Sequence, residues 1–207
     1  PSRYTFDPRD PVPTIGGGIS AATPIMEPGG FDQRGSPEFF GCKDMLPLNS
    51  RGDVLTFETP PLEEDVEVTG PVEMHLWASS SAEDTDFTAK LIDVYPASAE
   101  YSEGMAFNIT DSIIRARYRN GWETTELMTP GQAYELVFEL YPTSNVFQKG
   151  HRIRLDVSSS NWPRFDVNPN NGGPLGVKGE YRTAFQAIYH DAERPSHVVL
   201  PVQSGLI

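Results

Sequence analysis

The chain has 207 residues, with 29 Asp+Glu against 16 Lys+Arg and a net charge of −13. An acidic field of that kind repels phosphate backbones, which argues against DNA or RNA as a partner. At 38% hydrophobic and 11% aromatic it is no disordered acidic tail, because that much apolar surface can fill a core.

Residues 1 to about 50 are punctuated by Pro8, Pro11, Pro13, Gly16-Gly17-Gly18, Pro24, Pro28-Gly29-Gly30, Pro37 and Pro47. Proline removes hydrogen-bond donors and restricts the residue before it, so little regular structure is expected there. Tyr4, Phe6, Phe31, Phe39 and Phe40 are costly to leave in water. The expectation is an irregular arm over 1–50 laid on a domain spanning 51–207, the two forming one structural unit.

From Asp53 onward, apolar and polar residues alternate with the period of a strand. Val72, Met74, Leu76 and Ala78 share one face, and Glu73, His75, Trp77 and Ser79 the other. The same pattern recurs at 87–91, 114–118, 134–140 and 153–157. Weaker strand signals lie at 54–58, 65–69, 105–110, 181–189 and 197–202. Turn chemistry separates them, at Gly70-Pro71, Asn120-Gly121, Pro130-Gly131, Lys149-Gly150 and Asn170 to Pro174. No segment keeps a helical period. Eight to ten strands with one apolar face each must pair those faces, so the predicted fold is all-β, a two-sheet jelly-roll sandwich.

The strand–turn–helix motif G-x-S-x-G that exposes a nucleophilic serine is absent. Asp166-Val-Asn168-Pro-Asn170-Asn171 is a weak match to a calcium loop, because Asn171 stands where glycine is needed and Val177 where the bidentate Glu belongs. No metal or cofactor is expected, and no apolar run approaches the roughly 20 residues of a membrane span. Cys42 is the one cysteine, so no internal disulfide forms, and the compartment stays open between cytoplasm and exterior. The first residue is Pro1 rather than Met, as expected of a processed chain or of a domain cut from a longer one.

Two features invite a partner. Trp77 lies on the outer face of its strand beside His75; it marks a ligand or partner surface, or lies under the arm. Arg115, Arg117 and Arg119 form a basic ridge, read as pairing with Glu135, Glu139 or Asp156, or as a contact with another domain or a homo-oligomer. The pairs Glu63-Glu64 and Asp84/Asp86 read as solvated or turn-stabilising carboxylates.

Several runs resemble the X-Pro dipeptidyl-peptidase and cocaine-esterase-like (CocE/NonD) acyl hydrolases. They are F-D-P-R-D-P-V-P-T-I-G-G at 6–17, D-Q-R at 32–34, V-E-V-T-G-P-V at 66–72, S-S-S at 79–81 and D-T-D-F-T-A-K-L-I-D-V-Y-P at 84–96. Next come I-I-R-A-R-Y-R at 113–119, T-S-N-V-F-Q-K-G-H-R-I-R-L at 143–155, S-S-S-N-W-P-R-F-D-V-N-P-N-N-G-G at 158–173 and P-S-H-V-V-L-P-V at 195–202. The stretch 35–52 matches less well. The resemblance implies the C-terminal non-catalytic domain, a galactose-binding-like jelly roll. Its partner would be the α/β-hydrolase catalytic domain of the same parent, which carries the Ser-Asp-His triad. It further implies that Ile19, Ser20, Ala21, Ala22, Thr23 and Pro24 line the substrate cleft. Phe6, Pro13, Thr14, Gly16, Gly17, Trp77, Arg115 and Arg117 would face the catalytic domain. The rival reading is a carbohydrate-binding jelly-roll module.

Overall fold

The computed structural model describes residues 1–19, 25–177 and 179–203. Its strands are β1 (Ser2–Phe6), β2 (Leu55–Glu58), β3 (Val66–Ser80), β4 (Asp86–Tyr95) and β5 (Met105–Arg115), then β6 (Tyr134–Phe147), β7 (Arg152–Ser158), β8 (Ala184–Ile188) and β9 (His197–Val199). One sheet runs β1-β8-β3-β6, with β9 also on β3, and the other runs β2-β7-β4-β5. Every named pairing is antiparallel. Chain neighbours β2/β3, β3/β4 and β5 through β8 alternate between sheets, which is the rolled-hairpin path of a jelly roll.

The alternating residues explain the core. Met74 faces Phe138 and Leu76 faces Leu136 across the β3–β6 ladder. These meet Phe87, Leu91 and Val157 of the second sheet in one buried cluster. Residues 65–69 and 72–78 belong to a single strand. Gly70-Pro71 makes a register shift instead of a turn, because proline gives the ladder no donor and Gly70, at φ 137°, adopts the backbone a bulge requires.

Within the expected irregular stretch, residues 2–6 form β1, whose Tyr4 and Phe6 point into the core. The following segment folds over the outer face of the second sheet. Val12, Ile15, Leu48 and Val54 form a second small apolar cluster there. Alternation would leave Thr88 and Lys90 of β4, and Arg154 and Asp156 of β7, in water. All four are buried, because this covering segment removes the solvent from a polar sheet face.

On the outer face of β3, His75 stacks on His197 of β9 with ring centroids 4.6 Å apart. Its Nε2 lies 2.8 Å from Glu73 and its Nδ1 3.2 Å from Glu135. Hydrogen bonding to Glu73, then to Glu135, raises the His75 pKa against the desolvation of partial burial. A raised histidine stabilises the fold fully below pH 6.5, and the contribution is lost as pH rises through the folded value. His75→Gln is therefore expected to lower denaturation midpoints most at acidic pH and to converge on wild type in alkali. A difference that grows toward alkaline pH would refute the assignment.

Candidate functional site

The segment from Val12 to Ile19 leads directly into the loop expected to line a cleft. Ser20, Ala21, Ala22, Thr23 and Pro24 lie outside the described residues, and Ile19 is half-buried. What the structure supplies is the base from which that loop departs.

Three sets of hydrogen bonds hold the base. Val12 N–H donates to Ser160 Oγ at 2.9 Å. Trp162 N–H donates to Val12 O at 2.9 Å, and Thr14 N–H to Trp162 O at 2.7 Å, so 12–14 and 160–162 run as a short parallel ladder. Gly17 N–H then donates to Gly29 O at 2.6 Å, and Gly29 N–H returns a bond to Gly17 O at 3.0 Å. This pair brings together Gly17 and Gly29, which flank the segment 19–24. Gly17 sits at φ 115°, and a Cβ there would lie 2.9 Å from Arg164 Nη1, so the tight approach depends on glycine.

Beneath Gly17 and Gly18 lies a buried ion pair, Asp111 of β5 with Arg164. Asn161 Nδ2 also donates to Asp111, at 2.7 Å, and Arg164 N–H donates to Thr14 Oγ1 at 3.3 Å. Gln33 braces the same segment from the other side. Its Nε2 donates to Ile15 O and Phe31 O, both at 3.0 Å, while its Oε1 accepts from Lys90 Nζ at 2.6 Å. Burial pulls the Lys90 pKa down, opposed by the nearby carboxylates of Asp111 and Asp156. Removal of Gln33 would strand that ammonium group. Gln33→Leu is expected to cost about 1–3 kcal/mol in urea denaturation; no loss would show that Lys90 has another partner.

A second charged cluster holds the chain that follows Arg164. Arg115 grips Asp86 through Nε and Nη2, both at 2.8 Å. Arg117 Nε donates to Asp84 at 2.8 Å and its Nη2 to Gly173 O at 2.9 Å. Asn168 Nδ2 joins the two pairs, 2.8 Å from each aspartate. Burial pushes the Asp86 carboxyl up in spite of Arg115. The groove above has a volume of about 790 Å³ and is flanked by Trp162, Leu175, Val177 and Tyr181. Leu175, Val177 and Tyr181 are exposed. Phe40, also exposed, packs on Trp162 with centroids 4.9 Å apart.

These placements correct several expectations. Arg115 and Arg117 pair with Asp86 and Asp84 rather than with Glu135, Glu139 or Asp156; Arg119 pairs with Glu126. The strand ends at Arg115, and Ala116–Tyr118 form a 3-10 turn. Asp84 and Asp86 are buried, not solvated. Phe6 is fully buried in this chain's own core, which leaves no side-chain surface for another domain. Pro13, Thr14, Gly16 and Gly17 are buried in the base just described. Trp77 is half-buried, and its main-chain N–H donates to Ser196 Oγ at 2.9 Å. Sequence reasoning missed Gln33, Lys90, Asp111 and Arg164 as a unit, because nothing local links positions so far apart.

Among the described residues no group of three or more His, Cys, Asp or Glu side chains is arranged to hold a metal. Residues 3–199 match the family described as the X-Pro dipeptidyl-peptidase C-terminal non-catalytic domain. The chain is 42% identical to cocaine esterase from Rhodococcus sp. (strain MB1 Bresler) over 201 residues, covering 96% of this chain and 32% of that protein. An α-amino acid ester hydrolase is similar in structure, with a TM-score of 0.81 at 33% identity, covering 98% of this chain and 32% of that one. An aminopeptidase from a marine sediment Thaumarchaeota archaeon gives 0.80 at 30% identity, covering 98% and 33%. The chain thus spans about a third of the length of these relatives. By sequence match and by fold, it belongs to the family of X-Pro dipeptidyl-peptidase C-terminal non-catalytic domains.

Proposed function

We propose that this chain is the accessory domain of a serine hydrolase of the X-Pro dipeptidyl-peptidase or acyl esterase type. In this reading it walls the active-site cleft and aids assembly with an α/β-hydrolase catalytic domain, and does not catalyse alone. The observation that carries the reading is the braced base at Val12–Gly18. A buried ion pair, a parallel ladder and a glycine pinch hold Gly17 and Gly29, which flank the 19–24 segment. A wall must be rigid to select substrates, since misplacing a contact by about 1 Å costs catalysis up to about 100-fold. The exposed apolar side chains Leu175, Val177 and Tyr181, with Phe40 on Trp162, supply a surface of the kind partner domains cover.

The test has two arms. The chain alone, given aryl esters and an X-Pro anilide, is expected to show no turnover; turnover blocked by a serine-directed phosphonate would overturn the reading. In the full parent hydrolase, Arg164→Ala is expected to reduce kcat/KM about tenfold for a bulky ester and little for an aryl acetate. An unchanged ratio between the two substrates would remove the cleft role.

A further inference from the structure

We propose that the slot between the two sheets along their β2 and β9 edges is a binding site for a small uncharged aromatic molecule. It shares no residue with the base of the cleft loop or with the Asp84–Arg117 cluster.

The slot follows from strand lengths. β8 pairs with β3 only at Ala78–Ser80, and β9 only at Glu73–His75. Between them residues 190–196 turn out of the ladder, closed by the His190–Pro195 bridge. On the facing sheet β2 is only four residues long. Neither edge strand is long enough to close the sandwich here, so a cavity of about 340 Å³ reaches the core. Protein interiors are otherwise packed with few voids larger than a water.

Its walls and mouth define the chemistry. Met74, Leu76, Leu155, Val157 and Ile188 line the depth, and all are buried core residues. At the mouth Phe57 and His190 meet edge to face, centroids 6.2 Å apart. The polar side chains there each have a partner within the chain. Ser196 Oγ accepts from the Trp77 main-chain N–H at 2.9 Å, and His197 Nδ1 lies 2.7 Å from Pro195 O. His190 Nε2 lies 3.2 Å from Ser2 Oγ, and Glu58 pairs with Arg152 at 3.4 Å. The lining holds no Lys or Arg, and its one carboxylate, Glu58, is paired with Arg152, so an anion would lose its hydration there with little compensation. A flat ring finds two aromatic rings at the mouth and an adaptable thioether within. An apolar cavity of roughly 150 Å³ holds a benzene, so this larger slot suits a bicyclic ring or a ring with a short tail.

Titration of the full chain with the neutral probe N-phenyl-1-naphthylamine tests the site. Probe emission is expected to rise, and the Met74 methyl resonance to shift while those of Met45 and Met105 stay in place. Ile153→Phe and Leu200→Phe, which fill the slot, are each expected to weaken binding about tenfold. Val146→Phe, at an exposed position, is expected to bind as wild type. The anion 2-naphthoate is expected to bind about tenfold more weakly than the neutral probe. A silent Met74 methyl, shifts spread over all methionines, or slot-filling variants that bind as wild type would overturn the site. Equal binding of the anion would overturn its chemical assignment. Binding seen with the chain but lost in the full parent hydrolase would make the slot a seat for the parent's own polypeptide, and would overturn the ligand reading.

Discussion

Asp84→Ala is expected to destabilise the chain by about 3–5 kcal/mol, the range for removing one partner of a buried ion pair. Asp84 is 0% exposed and accepts from the Arg117 main-chain N–H at 3.1 Å as well as from its guanidinium and from Asn168. Alanine would leave the buried Arg117 guanidinium without its counter-charge and the Arg117 main-chain N–H without its acceptor, and would reduce Asn168 Nδ2 to its bond with Asp86. The cost comes from that stranding, since the intact pair itself contributes little net stability once its desolvation is counted. The double variant Asp84→Leu/Arg117→Met is accordingly expected to recover much of the loss. Urea denaturation of Asp84→Leu, Arg117→Met and the double variant closes the cycle; additive losses would show that the pair does not act as a unit. Because Asn168 and Gly173 O bond to the same cluster, amide exchange should accelerate locally over 166–173 in Asp84→Ala.

Phe6→Ala is expected to cost about 3–5 kcal/mol, as for other fully buried aromatic residues cut to alanine. Phe6 is 0% exposed, in the core beside Tyr4, although it lies in a proline-rich stretch. Its backbone pairs with Ala184 at the end of the β1–β8 ladder. Deleting residues 1–30 would remove β1 and also the Val12–Ile15 cover of the second sheet. The expected outcome is loss of the cooperative melting transition and aggregation. Arg9→Ala, whose pair with Asp7 is largely exposed, should change stability little. A deletion that melted as wild type would show that β1 and its cover contribute nothing to the fold.

Much of the sandwich was legible in advance for a simple reason. β3, β4, β6 and β7 alternate apolar and polar residues, and that period reports directly which side chains share a face. It does not report what lies over the other face. Lys90, Arg154 and Asp156 read as solvent-facing, yet a chain segment from a distant part of the sequence covers them. The arginine ridge is similar. Pairing was expected, but with acids on other outer faces; the register of β4 on β5 sets Asp86 directly opposite Arg115 and carries Asp84 to Arg117. Tyr4 and Phe6 alternate as a strand should, but the prolines that follow hid so short a run.

The candidate site was less legible than the fold. The sequence pointed to 19–24 and to its flanking glycines, through family resemblance and not through spacing. The brace beneath was invisible to it. Arg164 bonds to Thr14 across 150 positions and Asn161 to Asp111 across 50. No local pattern joins such residues.

The division is a physical one. Composition, alternation and turn residues act over a few positions, and they suffice for an all-β sandwich without its own nucleophile elbow. Which charges lose their water, which strand edges stay open and which glycines must bear close contact depend on register and on what covers each sheet. Those are long-range outcomes of burying apolar faces together, and only the folded chain decides them.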